Sequence, residues 1–258
     1  MSNDTKIVEI KTVQSNAIRI LCEALKDILT DVNLEISSEG LKIISMDGSK
    51  SAVIHLKLNA NKFEKFHCDN PINAGINMSS LHKIIKSLKN SDIITFYILS
   101  TDTTKLNIEI ENKEKKTIIH IVLKLLDIDS DILEIPNIEY DSVITMPSND
   151  FQSYIRELSI ITNKIHIQSE DSKIIFTGSG DFAETKITVG EASNGLIVNK
   201  SDKKACGLFN IKYLLLFTKS TNLCTTVEIY LKDEFPLILA YNVANLGKIQ
   251  YCLVPLID

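Results

Sequence analysis

Apolar and polar residues alternate with a period of two along most of the chain, the pattern of strands that bury one face. In the first half this holds over 6–13, 34–37, 41–46, 52–58, 73–77, 93–98, 106–111 and 118–124. The second half repeats it over 141–146, 164–168, 173–177, 184–189, 205–209, 226–231, 237–242 and 248–254. Turns are expected at Asp47-Gly48, at Ser38-Glu-Gly40 and at 113–116. The polar stretch 190–204 has no period and reads as a mobile loop. Four segments switch to the helical period. Segment 15–29 sets Ile18, Leu21, Cys22, Leu25 and Ile28 on one face and Arg19, Glu23 and Lys26 on the other. Segment 79–88 buries Leu81, Ile84, Ile85 and Leu88 and exposes Lys83 and Lys86. Segment 148–161 follows Met146-Pro147, takes Ser148 as its expected N-cap, buries Phe151, Ile155 and Leu158, and exposes Arg156. Segment 210–220 buries Ile211, Leu214 and Leu215, with Lys212 and Lys219 on one face.

The two halves read as one domain written twice. Ser38-Glu-Gly-Leu-Lys-Ile-Ile44 matches Ser169-Glu-Asp-Ser-Lys-Ile-Ile175, and Val122-Leu-Lys-Leu-Leu-Asp127 matches Leu253-Val-Pro-Leu-Ile-Asp258, at one shared offset. This predicts a domain over 1–125, a connector over 126–140 and a second domain over 141–258. The connector is too acidic and irregular for a regular element, yet it carries Ile128, Ile132, Leu133, Ile135 and Ile138. Pro136 removes a donor and biases Ile135 to an extended backbone. An extended, partly apolar segment is expected to lie against a surface, with a groove beside it.

At 258 residues and 44% hydrophobic, the chain is long enough for two real cores. Its polar opening and the lack of a long apolar run predict no signal peptide and no membrane span. Five scattered cysteines without a C-x-x-C pair read as reduced, buried thiols of an intracellular protein. A net charge of −5 argues against a protein that wraps a basic surface onto nucleic acid. The charge is unevenly spread, however. Carboxylates crowd the loops and connector, and the solvent faces of the four helical segments read as mostly basic.

Nine short motifs then occur in a recognisable order: Ala24-Leu-Lys-Asp-Ile28, Ser45-Met-Asp47, Phe66-His-Cys-Asp69, Gly75-Ile-Asn77, Asp92-Ile-Ile-Thr95, Leu133-Glu-Ile-Pro136, Met146-Pro-Ser148, Phe217-Thr-Lys219 and Leu253-Val-Pro255. Over its whole length the chain resembles the eukaryotic sliding-clamp family of proliferating cell nuclear antigen, cellular or viral. The resemblance implies an α+β fold of two duplicated clamp domains, each with antiparallel sheets outside two helices. It also implies a toroidal homotrimer that encircles duplex DNA and acts as a polymerase processivity factor. Topology then prevents dissociation, so a few screened phosphate contacts suffice and the acidic total is no obstacle.

By that resemblance the DNA-facing residues are Arg19, Lys26, Lys83, Lys86, Arg156, Lys212 and Lys219. The partner groove takes Met46, Lys50, Val53, Leu133, Ile135, Pro136, Tyr140, Pro236, Cys252, Val254 and Pro255. The subunit interface takes Ile119, Ile121 and Leu123 from one edge strand and Thr185, Ile187 and Val189 from another. Implied partners are double-stranded DNA, further copies of the chain, a DNA polymerase, a clamp loader, a flap endonuclease, a DNA ligase and other proteins with a Gln-containing, aromatic-ended motif. The implied location is the nucleus, or a viral replication site. The chain departs from the family pattern at Lys50, where a histidine is frequent, and at Cys252, where a tyrosine stands. Glu170-Asp171 occupies the place of the ubiquitin-accepting lysine, with Lys173 near it but not equivalent.

Catalytic chemistry is missing from the pattern. Gly178-Ser-Gly-Asp-Phe-Ala183 fits a dinucleotide string, but a strand follows where the fingerprint needs a helix. Asp127, Asp129 and Asp131 start like a calcium loop, with Ile132 where the sharp turn needs glycine. His55, His67, His82, His120 and His166 show no metal-ligand spacing. The expectation is no enzyme, no metal and no cofactor. The competing reading is a metal- or carboxylate-dependent nucleic-acid enzyme, which divalent-metal-dependent turnover of DNA would favour. Within the clamp class, the alternative is one subunit of a mixed ring.

Overall fold

The computed structural model describes residues 5–129, 138–192, 195–201 and 204–256. The chain divides into two compact units: the described residues of 1–45 and 55–133 with Val243–Lys248, and Met46–Ile54 with the described residues of 134–242 and 249–258. The first half runs β1 (Lys6–Thr12), α1 (Ser15–Leu25), β2 (Asp31–Ser37), β3 (Gly40–Met46), β4 (Ala52–Asn59), β5 (Lys65–Cys68), β6 (Ile72–Asn77), α2 (Met78–Ile85), β7 (Asp92–Leu99), β8 (Asp102–Asn112) and β9 (Thr117–Lys124). The second runs β10 (Ser142–Pro147), α3 (Ser148–Ser159), β11 (Lys164–Glu170), β12 (Lys173–Ser179), β13 (Glu184–Gly190), β14 (Ile197–Ser201), β15 (Ala205–Asn210), α4 (Ile211–Phe217), β16 (Thr226–Leu231), β17 (Leu237–Val243) and β18 (Gly247–Leu253).

The strand orders carry the duplication. The first unit has β5-β1-β7-β8-β9 and β4-β3-β2-β6; the second has β14-β10-β16-β17-β18 and β13-β12-β11-β15. Strand for strand, these are the same two orders. Pairing is antiparallel, as in Ile10 opposite Phe96 and Ile167 opposite Phe176. Within each unit the two helices pack on each other. The side-chain alternation is therefore set by the fold: Ile165 and Ile167 of β11 are buried while His166 between them is half-exposed.

The two cores are filled differently. The fully buried aromatics Tyr241, Tyr251, Phe151, Phe176, Phe209 and Phe217 all belong to the second unit, where Phe217 stacks on Tyr251 at 4.5 Å. The first unit uses branched aliphatics such as Ile10, Leu25, Ile36 and Ile76, and keeps an apolar cavity of about 70 Å³ between α1, α2 and its strands. Each such side chain contributes roughly 1.5–3 kcal/mol when buried.

Three expectations are corrected. The stretch 190–204 contains strand β14, antiparallel to β10, with Asn199 Nδ2 donating to Thr145 Oγ1 at 2.7 Å. Ser148 is the first helical residue rather than the N-cap, which is Pro147; its hydroxyl donates to Cys224 O at 2.8 Å. Of the five thiols only Cys22 is buried; Cys68, Cys206, Cys224 and Cys252 are half-buried.

Candidate DNA, partner and subunit surfaces

Helix starts are fixed locally. Asn77 Oδ1 accepts from Ser80 N at 2.9 Å to cap α2, and Asn210 Oδ1 accepts from Lys212 N at 3.0 Å to cap α4. These caps orient the helices so that Lys83, Lys86 and Lys212 are exposed, and none of the three forms an ion pair among the described residues. Arg156 on α3 and Lys219 after α4 are exposed as well. Arg19 and Lys26 are half-buried and neutralised, by Glu23 at 3.6 Å and Asp27 at 3.0 Å. Arg156 shares α3 with Asp150 and Glu157. The unbalanced positive charge thus concentrates on α2 and α4 rather than on all four helices. His82 of α2 records this field: burial and then the Lys26 ammonium push its pKa down, Lys86 adds to the effect, and Glu23 and Asp27 oppose it.

The predicted groove residues split by position. Leu133, Ile135 and Pro136 lie outside the described residues. Upstream of them, the connector docks on β6: Leu126 N donates to Gly75 O at 2.8 Å, and Asn33 Nδ2 donates to Ile128 O at 3.1 Å. A Cβ on Gly75 would lie 2.1 Å from Leu126 O, so only glycine admits this approach. In the second unit, Tyr140 is buried, donates to Pro236 O at 3.2 Å and meets Tyr230 edge-on at 5.7 Å. Burial raises the Tyr140 phenol's pKa, and the neighbouring Cys252 adds to the shift; burial pushes the Cys252 thiol itself up to about 11. Met46, Val53 and Pro255 are half-buried, whereas Lys50 and Val254 are exposed. Val254 N donates to Ser51 O at 3.1 Å, which ties the end of the chain to the turn after β3. The structure thus brings together Tyr140, Pro236 and Cys252, and separately the 46–53 segment and Val254.

That turn depends on Asp47, which sequence reasoning took as half of a turn dipeptide and as the end of the Ser45-Met-Asp47 motif, without a bonding role. Its Oδ1 accepts from Ser51 N and Ala52 N, both at 2.7 Å. Its Oδ2 accepts from Ser49 N at 3.0 Å, Ser49 Oγ at 2.6 Å and Tyr213 Oη at 2.7 Å. Burial opposes the charge, but these donors outweigh it and hold the pKa down to about 2.

The predicted interface residues lie on two edge strands, β9 and β13. On β9, Ile121 and Leu123 are half-buried and Ile119 is 52% exposed; Ile118 and Val122, which sequence reasoning passed over, are 58% and 54% exposed. On β13, Thr185, Ile187 and Val189 are half-buried and alternate with exposed Glu184, Lys186 and Thr188. Phe182, two residues before β13, and Ile160, at the C-terminal cap of α3, are each 75% exposed. Gly180 lets its turn press on the end of α3, where an added Cβ would lie 1.9 Å from Ile161 O. That turn joins β12 to β13, so the glycine string there has no helix to offer a pyrophosphate. Among the described residues no three His, Cys, Asp or Glu side chains cluster to hold a metal.

Residues 7–133 match the family model for the N-terminal domain of proliferating cell nuclear antigen, and residues 134–256 match that for its C-terminal domain. A curated protein of Paramecium bursaria Chlorella virus 1, a probable DNA polymerase sliding clamp, is 34% identical to the chain over 262 residues, covering 100% of each.

Proposed function

The chain belongs to the proliferating cell nuclear antigen family, the DNA sliding clamps that serve as non-catalytic polymerase processivity factors, and from that premise we propose that three copies close head-to-tail into a ring around duplex DNA. The observation that carries the ring is the pair of open edges. Each unit repeats the same strand order, and β9 of one and β13 of the other end their sheets with half-apolar faces. An uncovered edge is a template for another chain, and joining β9 of one copy to β13 of the next removes both edges at every step. Ile119, Ile121 and Leu123 then pack beside Thr185, Ile187 and Val189.

Inside the ring, Lys83, Lys86, Arg156, Lys212 and Lys219 meet phosphates, with Arg19 and Lys26 secondary because Glu23 and Asp27 already hold them. Contacts to phosphate alone carry no sequence information and leave the ring free to slide. On the outside, Met46, Lys50, Val53, Tyr140, Pro236, Cys252, Val254 and Pro255, with Leu133, Ile135 and Pro136 of the connector, receive an apolar plug from a polymerase, clamp loader, flap endonuclease or ligase. The protein works where DNA is replicated, in a nucleus or at a viral replication site.

Light scattering of the pure chain tests the ring: three subunits are expected, and a stable monomer at micromolar concentration would falsify it. The same preparation should extend polymerase products on a primed circle when a clamp loader is present. It should not itself turn over DNA.

A further inference from the structure

We propose that Asp47 and Tyr213 are positioning residues for the partner groove: together they set the 47–52 turn against α4 and so fix the strip of backbone beside which a partner peptide binds. The inference rests on the groove reading above. Its own basis is the hydrogen bonding around one carboxylate. Asp47 is 8% exposed and forms no ion pair with a cation among the described residues, yet five donors converge on its two oxygens. Four of them come from within the turn itself. The fifth, the Tyr213 hydroxyl, comes from α4 and also meets Ser49 Oγ. The turn needs this support, because Lys50 sits at φ 57, a left-handed conformation that a lysine adopts at a cost.

The turn is also the link between several groove residues. Met46 precedes it, Lys50 is inside it, Val53 follows it, and Ser51 O holds Val254 N at 3.1 Å. Two residues on, Leu256 N donates to Leu208 O at 2.8 Å, just before α4. A closed path of hydrogen bonds therefore runs from α4 through Tyr213 and Asp47 to Ser51, on to Val254, and back by Leu256 to the strand that feeds α4. Loss of the phenol oxygen opens this path at one point. It leaves the remaining four hydrogen bonds to Asp47 and the ring packing of Tyr213 on Phe217 in place.

The experiment uses the full-length protein, the Tyr213→Phe variant and a synthetic peptide with the Gln-containing, aromatic-ended clamp-binding motif. Tyr213→Phe removes one hydrogen bond to a charged group, so peptide affinity should fall about tenfold. Oligomer mass should stay at the wild-type value, the melting temperature should fall by only a few degrees, and amide exchange at Ser51 and Ala52 should accelerate. Asp47→Asn, which replaces one accepting oxygen by an NH2 group and so strands the donors on that side, should lower affinity further. Wild-type affinity in Tyr213→Phe overturns the proposal, whether or not the amides exchange faster. Lost affinity in Tyr213→Phe together with loss of the oligomer, or with a melting temperature near the assay temperature, also overturns it, since the role would then be support of the fold. Val254→Asp separates this from the groove reading: if that variant binds the peptide normally, the groove itself is misplaced and the positioning role falls with it.

Discussion

Asp47 keeps its charge inside the second unit with neutral donors alone, and this makes it acid-sensitive in a defined window. Its folded pKa is about 2, against about 4 for an aspartate in an unfolded chain. A depressed carboxylate contributes fully above the unfolded value and loses its contribution as pH falls toward the folded one. The difference in stability between wild type and Asp47→Asn should therefore be about 2 kcal/mol near neutrality and shrink between pH 4 and 2. Urea midpoints of the two proteins, measured side by side across that window, check it. A gap that does not change with pH would mean the turn does not hold the ionised form. Single residues were legible to different degrees. Phe151, Ile155 and Leu158 follow from the helical period alone. Asp47 does not, because one of its donors lies 166 residues away.

Among the elements, β9 is the least ordinary. Edge strands of monomers are blunted by charge, proline or bulges. β9 instead exposes Ile118, Ile119 and Val122 and is regularly paired to β8 from Lys105 opposite Lys124 to Asn112 opposite Thr117. Such a strand is built to be covered. Ile119→Lys together with Val122→Lys should leave each subunit folded, since both side chains are exposed, and should split the ring. Light scattering should then give one subunit where three are expected for the wild type; a surviving trimer would put the interface elsewhere. Strand β14 carries a different lesson. Its sequence, Ile197-Val-Asn-Lys-Ser201, has no two-residue period, and Ile197 is 51% exposed. It is a strand because β10 offers it an edge, and that offer is not written in the five residues themselves.

For the whole molecule, the decisive quantity is where charge is unbalanced rather than its total of −5. Lys83, Lys86 and Lys212 are exposed without ion pairs among the described residues, whereas Arg19 and Lys26 have acidic neighbours. Changing Lys83, Lys86 and Lys212 to Glu should preserve folding, mass and peptide binding while DNA loading and polymerase stimulation fall severalfold. The loss should be largest at low salt, where the screening length exceeds ~10 Å. Reversing Lys113 and Lys115, exposed on the turn before β9, is the control and should do little. Equal losses from both sets would mean that charge acts nonspecifically; no loss from the helix set would remove α2 and α4 from the DNA channel.

Local periodicity and the internal repeat determined sixteen of the strands, all four helices and the duplicated architecture. Each of those depends on residues a few positions apart, and the period of a segment states which face it buries. The positions of Lys83, Lys86 and Lys212 on the solvent faces of their helices were legible for the same reason, whereas the edge strands were named only through the family resemblance. Only the tertiary structure decided what long-range pairing imposes. It seated Leu126 on Gly75 and recruited Ile197–Ser201 to β10. It also turned Asp47 from a turn former into the acceptor that ties a loop to α4. A hydrogen bond between distant residues depends on where both backbones have been carried, and neither local sequence encodes the other's position.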